Sequence, residues 1–270
     1  MAITRSRYVG GNAGTTRRTA GNVAPVYDQN VAPVYDLIYG AGVGKDYAKE
    51  AGELAALIHE RRPEASSLLD VACGTGMHLL HLREHFGAVA GVELSPQMAE
   101  IAGARLGPSV EISVGDMRDF DLGRRFDAVT CLFSSIGYVQ SREELHRALG
   151  RLAAHLQPGG VLVVEPWFSP QAWRAGTVHD GRAEQDGRVV IRLSYSGLTE
   201  DGKSLTDMHY LYGEEGVGVR YWRDVHIMSL FTEDEYLDAF AAAGFGPVEL
   251  LPGWREGRDR LVAILPAVSG

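Results

Sequence analysis

Apolar positions recur along the chain with two alternating periods, and the alternation itself predicts the fold. From Asp46 to Arg61 they return about every 3.6 residues and stop before Pro63, which predicts a helix. Ser67–Ala72 is a short apolar run and reads as a first strand. Met77–Phe86 returns to the helical period, and Ala88–Glu93 forms a second strand. Ser95 followed by Pro96 opens the next helix, because a serine cap before proline is a favoured entry. Val110–Val114 and Phe126–Leu132 supply a third and a fourth strand. Arg142–Leu156 predicts a helix closed by Pro158-Gly159-Gly160. Val161–Glu165 is apolar enough for a strand buried on both faces. Regular alternation of this kind predicts a doubly wound α/β fold around a parallel sheet.

The period changes after Pro166. Arg188–Ser196, Ser204–Tyr212 and Val217–Leu230 are strand-like runs separated by polar turns, which predicts an antiparallel β insertion beside the sheet's carboxyl edge. Thr232-Glu-Asp-Glu235 is a capping box opening a helix that ends near Gly244. Val248–Leu251 and Arg260–Leu265 then return as a terminal hairpin. The expected organisation is a disordered tail over 1–21, a main domain from 22–168 and 231–270, and an insertion over 169–230 on the substrate or dimer side.

Composition narrows the partners. Of 270 residues 45% are hydrophobic, enough for a sizeable core, and the net charge of −9 argues against a nucleic-acid or membrane-surface binder. No apolar run approaches the ~20 residues of a membrane helix. Arg5, Arg7, Arg17 and Arg18 fall in a Gly/Thr/Ala-rich start without acids or an apolar core, unlike a secretory signal. With Cys73 and Cys131 as the two cysteines, a reducing cytoplasm is expected rather than a disulfide framework. NVAPVYD occurs at Asn22–Asp28 and again at Asn30–Asp36. Two copies are too few for a repeat architecture; a local duplication and a second tyrosine placed over a pocket both remain open. Neither metal-ligand spacing nor a nucleophile motif stands out.

The candidate chemistry sits at the first strand–helix turn, Leu68-Leu-Asp-Val-Ala-Cys-Gly-Thr-Gly76. Glycines let a ligand approach the backbone, and the helix start offers free amides. A dinucleotide fingerprint would need glycine at Leu79. Asp70 before the turn suits a ligand with an amino group. Glu93, 23 residues on, can accept both hydroxyls of a ribose. After the third strand, Asp116 can accept an adenine amino group while Met117 lies on the ring. Together these points span an adenosyl ligand across the switch point of the sheet.

LLDVACGTG, GVELS, GDMRDF, CLFSSIGY and LQPGGVLVVEPW resemble class I S-adenosylmethionine-dependent methyltransferases, whose sheet is Rossmann-like. More narrowly, Tyr35 to Pro266 resembles the dTDP-amino-sugar N-methyltransferases of antibiotic pathways, with YDLIYGAGVGKDY, FSSIGY and EPWF the more specific segments. The resemblance implies S-adenosyl-L-methionine as cofactor and a nucleotide-linked amino sugar as acceptor, dimethylated by direct in-line transfer. It implies that Tyr35 and Tyr47 enclose the methionine end of the cofactor. Asp70, Gly74 and Gly76 would hold its amino-acid part, Glu93 its ribose, and Asp116 and Met117 its adenine, with Ala72 and Leu94 also among the cofactor-binding residues. Tyr27 stands where relatives place an active-site tyrosine, and Ser135 and Tyr138 would face the sugar. Relatives often carry histidine where this chain has Tyr138, so a histidine base does not carry over. Trp167 would border the sugar pocket and Arg258 would approach the diphosphate.

Blander readings stand beside these. Tyr27, Tyr138 and Trp167 also fit half-buried aromatics, Arg258 a solvated loop, and His209 and His226 structural roles. A single methylation, another small-molecule N- or O-methyltransferase, an NAD-dependent oxidoreductase and a non-catalytic cofactor module are the alternatives; a homodimer is a candidate assembly.

Overall fold

A computed structural model describes residues 32–42, 44–255 and 258–267. The expected tail, the first NVAPVYD copy and Tyr27 lie outside them. In chain order the elements are α1 Tyr47–Arg61, β1 Ser67–Val71, α2 Met77–Leu82, β2 Ala88–Glu93, α3 Pro96–Leu106, β3 Glu111–Val114, β4 Phe126–Cys131, α4 Arg142–Ala154 and β5 Leu156–Val164. There follow β6 Thr177–Gln185, β7 Arg188–Leu198, β8 Ser204–Glu214, β9 Gly218–Met228, α5 Glu233–Ala242, β10 Glu249–Arg255 and β11 Arg258–Ile264. Short helical turns occupy Ala32–Val34, Leu37–Ala41 and Ser135–Tyr138.

Seven strands form one sheet in the order β10-β11-β5-β4-β1-β2-β3. The first five strands in sequence run parallel, and β10 and β11 join antiparallel. The chain winds outward from β1 in both directions, so a crevice opens at the carboxyl ends of β1 and β4. Alternate side chains of the central strands serve opposite faces. Leu68, Ala128 and Val163 pack with Leu54, Ile58 and Leu79 on one side; Leu69, Val129 and Leu162 pack with Leu145, Leu149 and Phe240 on the other. This two-sided burial is why these strands read as continuous apolar runs. The expected doubly wound α/β fold with an antiparallel insertion is what the chain forms.

Three boundaries differ from the sequence reading. Helix α4 stops at Ala154, and Pro158-Gly159-Gly160 lies inside β5, where the register with β4 shifts between Phe126 and Ala128. Gly159 takes φ +76°, so the three residues make a bulge rather than a helix stop. Helix α2 ends at Leu82, before Phe86. The antiparallel sheet, order β6-β7-β8-β9, has a fourth strand, β6. Its residues TVHDGRAEQ are mostly exposed on a sheet edge and show no apolar alternation; pairing with β7 over nine register positions makes it a strand.

Candidate functional site

The carboxyl ends of β1, β2 and β4 open into a cavity of about 430 Å³ that the antiparallel sheet closes on another side. A smaller chamber of about 40 Å³ adjoins it, with Tyr35, Ala72, Gly74, Phe133 and Ser135 lining both.

At the chamber, Asp70 lies next to the last residue of β1, almost fully buried, and its Oδ1 accepts from Thr130 Oγ1 at 2.7 Å. Burial pushes its carboxyl up to about 6, against the lowering pull of His78, Thr130 and Lys45. The turn that follows is left-handed at Ala72 (φ 60°) and Gly74 (φ 59°). A Cβ on Gly74 would meet open space, so its bare face is available to a ligand. Gly74 N and Ser95 N donate to the two oxygens of Glu93, at 2.9 and 2.8 Å. These amides aim a buried carboxylate into the large cavity while each oxygen keeps accepting capacity. Burial raises the Glu93 carboxyl, and the amide bonds oppose it.

Two expected cofactor contacts lie off the walls of both spaces. Gly76 lines neither space. It has φ +75°, and a Cβ there would lie 3.0 Å from Leu106 Cδ1 and 3.1 Å from Ala102 Cβ, so glycine serves the seat of α2 on α3. Asp116 does not line the cavity either. Its carboxylate is occupied by Arg118, through Nε at 2.9 and 3.1 Å and the backbone amide at 2.9 Å. That pairing holds the Asp116 carboxyl low although burial acts to raise it. Met117, next along, does reach the cavity, as do Leu94 and Glu93. Tyr47 joins Asp70 and Tyr35 at the chamber; burial raises the phenols of both tyrosines.

A buried ionic cluster at the chamber escaped the sequence reading. Glu50 accepts from Lys45 Nζ and lies 2.9 Å from His78 Nε2. Burial raises the Glu50 carboxyl, but its contacts with His78 and Lys45 hold it below its ordinary value. Lys45 also stands over the Phe133 ring, 4.4 Å from its centroid. Spacings of five and 28 residues carry no motif; packing of α1 on α2 assembles the cluster. Asp36 is a second such residue. It accepts from Thr75 Oγ1 at 2.6 Å and pairs with Arg105, which ties the Tyr35 segment to the glycine turn.

On the acceptor side, β4 leads into Phe133 (φ 54°) and Ser134 (φ 63°), two left-handed residues that are not glycine. Such residues cost about 1–3 kcal/mol each and persist where neighbours over-determine them. Here Phe133 N donates to the buried Glu165 at 2.8 Å, Ser134 Oγ donates to Pro166 O at 2.8 Å, and Arg258 Nη1 donates to Ser134 Oγ at 3.0 Å. This turn delivers Ser135 and Tyr138 to the cavity wall. Trp167 is fixed by its Nε1–H to Ser204 Oγ at 2.8 Å. The Arg258 guanidinium lies 5.3 Å from the Trp167 ring and 5.0 Å from that of Phe168. Arg258 is therefore a buried cation on the cavity wall at the start of β11, not a solvated loop residue. Tyr138 Oη meets His226 Nδ1 at 2.7 Å, a partner 88 residues away that the sequence reading set aside as structural.

Among the described residues no cluster of three or more potential metal ligands occurs, both cysteines are free and buried, and no helix is long and apolar enough to cross a membrane.

Comparison with known proteins converges on one family. Residues 68–160 match the model of a methyltransferase domain. The chain is 48% identical over 239 residues, 88% of its length and 99% of the relative's, to the dTDP-3-amino-3,4,6-trideoxy-alpha-D-glucopyranose N,N-dimethyltransferase of Streptomyces venezuelae. It is 45% identical over 246 residues, 91% of its length and 97% of the relative's, to the dTDP-4-amino-2,3,4,6-tetradeoxy-D-glucose N,N-dimethyltransferase of Saccharopolyspora spinosa. The crystal structure of Streptomyces venezuelae DesVI superposes with a TM-score of 0.83 at 48% identity, covering 89% of this chain and all of that one. A SAM-bound amino pentose methyltransferase of calicheamicin biosynthesis from Micromonospora echinaspora superposes with a TM-score of 0.77 at 38% identity, covering 90% and 100%. The chain belongs to the S-adenosylmethionine-dependent methyltransferases, within the family of dTDP-amino-sugar N,N-dimethyltransferases.

Proposed function

We propose that this protein transfers two methyl groups from S-adenosylmethionine to the amino nitrogen of a dTDP-linked deoxyamino sugar in antibiotic biosynthesis. The observation that carries the reading is Arg258, a buried guanidinium on the wall of the same cavity that holds Glu93 and Met117. A polar ligand lying against an adenosyl cofactor would meet that cation, and a guanidinium binds phosphate oxygens bidentately. The dimethyltransferase relatives act, by their names, on amines at C3 or at C4 of the sugar.

The donor set fits the cofactor. Asp70 would take its amino group, with Tyr35, Tyr47, Ala72 and Gly74 around the methionine end. Glu93 would take the ribose hydroxyls beside Leu94, and Met117 would lie on the adenine. Bound there, the cofactor supplies a methyl group on a cationic sulfur, electrophilic without further activation. The protein's own task is to exclude water and fix the amine on line. Tyr35, Phe133 and Trp167 make the wall apolar, and Ser135 and Tyr138 offer hydroxyls to orient the amine. Alignment of this kind is worth about 7–11 kcal/mol. The buried, unpaired thiols fit a reducing cytoplasm. The outer face of β6–β9 is the surface on which a second copy would pair.

The test is methylation of a panel of dTDP-amino sugars, read by mass spectrometry, with Arg258→Ala beside the wild type. A buried charged hydrogen bond contributes about 1.5–3 kcal/mol, so KM for the nucleotide sugar rises about one to two decades while cofactor affinity holds. A wild type that methylates a free amine equally well, or an Arg258→Ala enzyme with unchanged KM, removes the diphosphate clamp from the reading.

A further inference from the structure

A sugar amine is an ammonium in neutral water, and an ammonium has no lone pair to give. Dimethylation sharpens the demand, because the once-methylated nitrogen must lose a proton before it reacts again. A nitrogen held against apolar cavity walls has little bulk water beside it, so an acceptor on the cavity wall can take the proton.

Tyr138 and His226 both line the large cavity, and Tyr138 Oη lies 2.7 Å from His226 Nδ1. On the far side of the ring, His226 Nε2 stands 3.2 Å from Asp224 Oδ2, two residues back on the same face of β9. The two contacts assign the tautomer. A bare Nε2 would face a carboxylate and be repelled, whereas an Nε2–H is attracted. The proton therefore sits on Nε2, and the Nδ1 lone pair accepts from the Tyr138 hydroxyl. The Nε2 contact is off hydrogen-bond alignment, so Asp224 acts mainly as a nearby negative charge. Arg192 and Tyr210 on neighbouring strands and Tyr35 of the N-terminal segment lie within electrostatic reach of this group of side chains.

We propose that Tyr138 and His226, with Asp224 behind them as a positioning residue, form a proton relay that deprotonates the acceptor ammonium at neutral pH. The step balances within the cavity. The ammonium N–H bond breaks and its proton passes to Tyr138 Oη as the phenolic proton passes to His226 Nδ1. The amine regains its lone pair, the phenol is restored, and His226 holds one added proton until the product leaves and water takes it. The inference rests on the amino-sugar reading above and adds a histidine from the antiparallel sheet to its chemistry.

The test pairs Tyr138→Phe with His226→Gln. Tyr138→Phe keeps the ring and its packing, so it reports even where His226→Gln folds poorly. Near pH 7 each variant loses about ten to a hundredfold in kcat, with KM changed about threefold or less. The loss shrinks as pH rises toward that of amine deprotonation in water, and the double variant is no worse than either single one. A second readout needs no cofactor. In full-length protein carrying ¹⁵N-labelled imidazoles, binding of dTDP-3-amino-3,6-dideoxyglucose adds a proton to His226, and in Tyr138→Phe it does not. An active wild type whose variants lose activity equally at every pH, or whose His226 gains no proton on binding, overturns the relay alone. A wild type inert toward every dTDP-amino sugar overturns the relay and the substrate reading together.

Discussion

Asp70 carries two opposed demands. To hold an ammonium it must be ionised, yet burial in the core end of β1 pushes its carboxyl from 3.8 up to about 6. A displacement of that size corresponds to about 3 kcal/mol against the ionised form. In this case the folded state binds the proton more tightly than the unfolded chain. The cost is absent below about pH 4, grows between about 4 and 6, and is fully present above that, so stability from this group falls as pH rises through the window. A cofactor ammonium would relieve it. Asp70→Asn removes the charge and keeps an acceptor for Thr130. We expect the cofactor-free variant to be more stable than wild type at pH 8 by about 1–3 kcal/mol, with the advantage vanishing near pH 4. The same variant binds S-adenosylmethionine at least about tenfold more weakly by calorimetry, since a charged hydrogen bond is lost. An Asp70→Asn protein less stable than wild type at pH 8 would show that the charge is not what burial penalises.

Gly76 belongs to the scale of the element, because it joins two helices instead of touching the chamber. Gly76→Ala places a Cβ at φ +75°, 3.0 Å from Leu106 Cδ1. The expected loss is about 1–3 kcal/mol in denaturant unfolding with cofactor affinity nearly unchanged; full stability with lost affinity would return Gly76 to the ligand. What was legible in the sequence divides along the same line. Strands β1, β2, β4 and β5 announce themselves because both their faces are buried, and the Thr232 capping box marks α5 because its two bonds span only three residues. Glu93 follows from counting along β2 to its carboxyl end, and Met117 from the turn after β3. Edge strand β6 was hidden because its partner, not its own pattern, makes it a strand. Pro158-Gly159-Gly160 has the composition of a helix stop, and the same composition serves a bulge. Lys45 with Glu50 and His78, and Tyr138 with His226, are pairs made by tertiary packing, for which local spacing carries no signal.

At the scale of the whole molecule the antiparallel sheet adds polar residues to an inner face that also buries Val190, Tyr210 and Tyr212, and sets an apolar row on its outer face. Such sheets ordinarily turn apolar residues inward and polar ones to water. Here Arg192, Ser194, Thr206 and His226 face the cavity, while Ile191, Leu193, Leu211 and Tyr221 face out, 44% to 60% exposed. Ile191, Leu211 and Tyr221 are direct neighbours across three strands, so the exposure is one patch and not scattered residues. A polar substrate accounts for the inner face. The outer face calls for protein cover, since contiguous apolar surface of this kind marks an interaction site. Its charged pairs carry both signs, Arg182 with Glu184 and Arg223 with Asp207, which suits a patch that meets itself across a two-fold axis. We therefore expect the wild type to sediment as a dimer at tens of micromolar, and Leu211→Glu, which sets a charge in the centre of the patch, to sediment as a monomer. Cofactor affinity should survive the substitution, because the cavity opens on the other side of the sheet. A wild type that is monomeric at those concentrations would leave the outer face to a different partner and remove self-pairing as the reason for its apolar row.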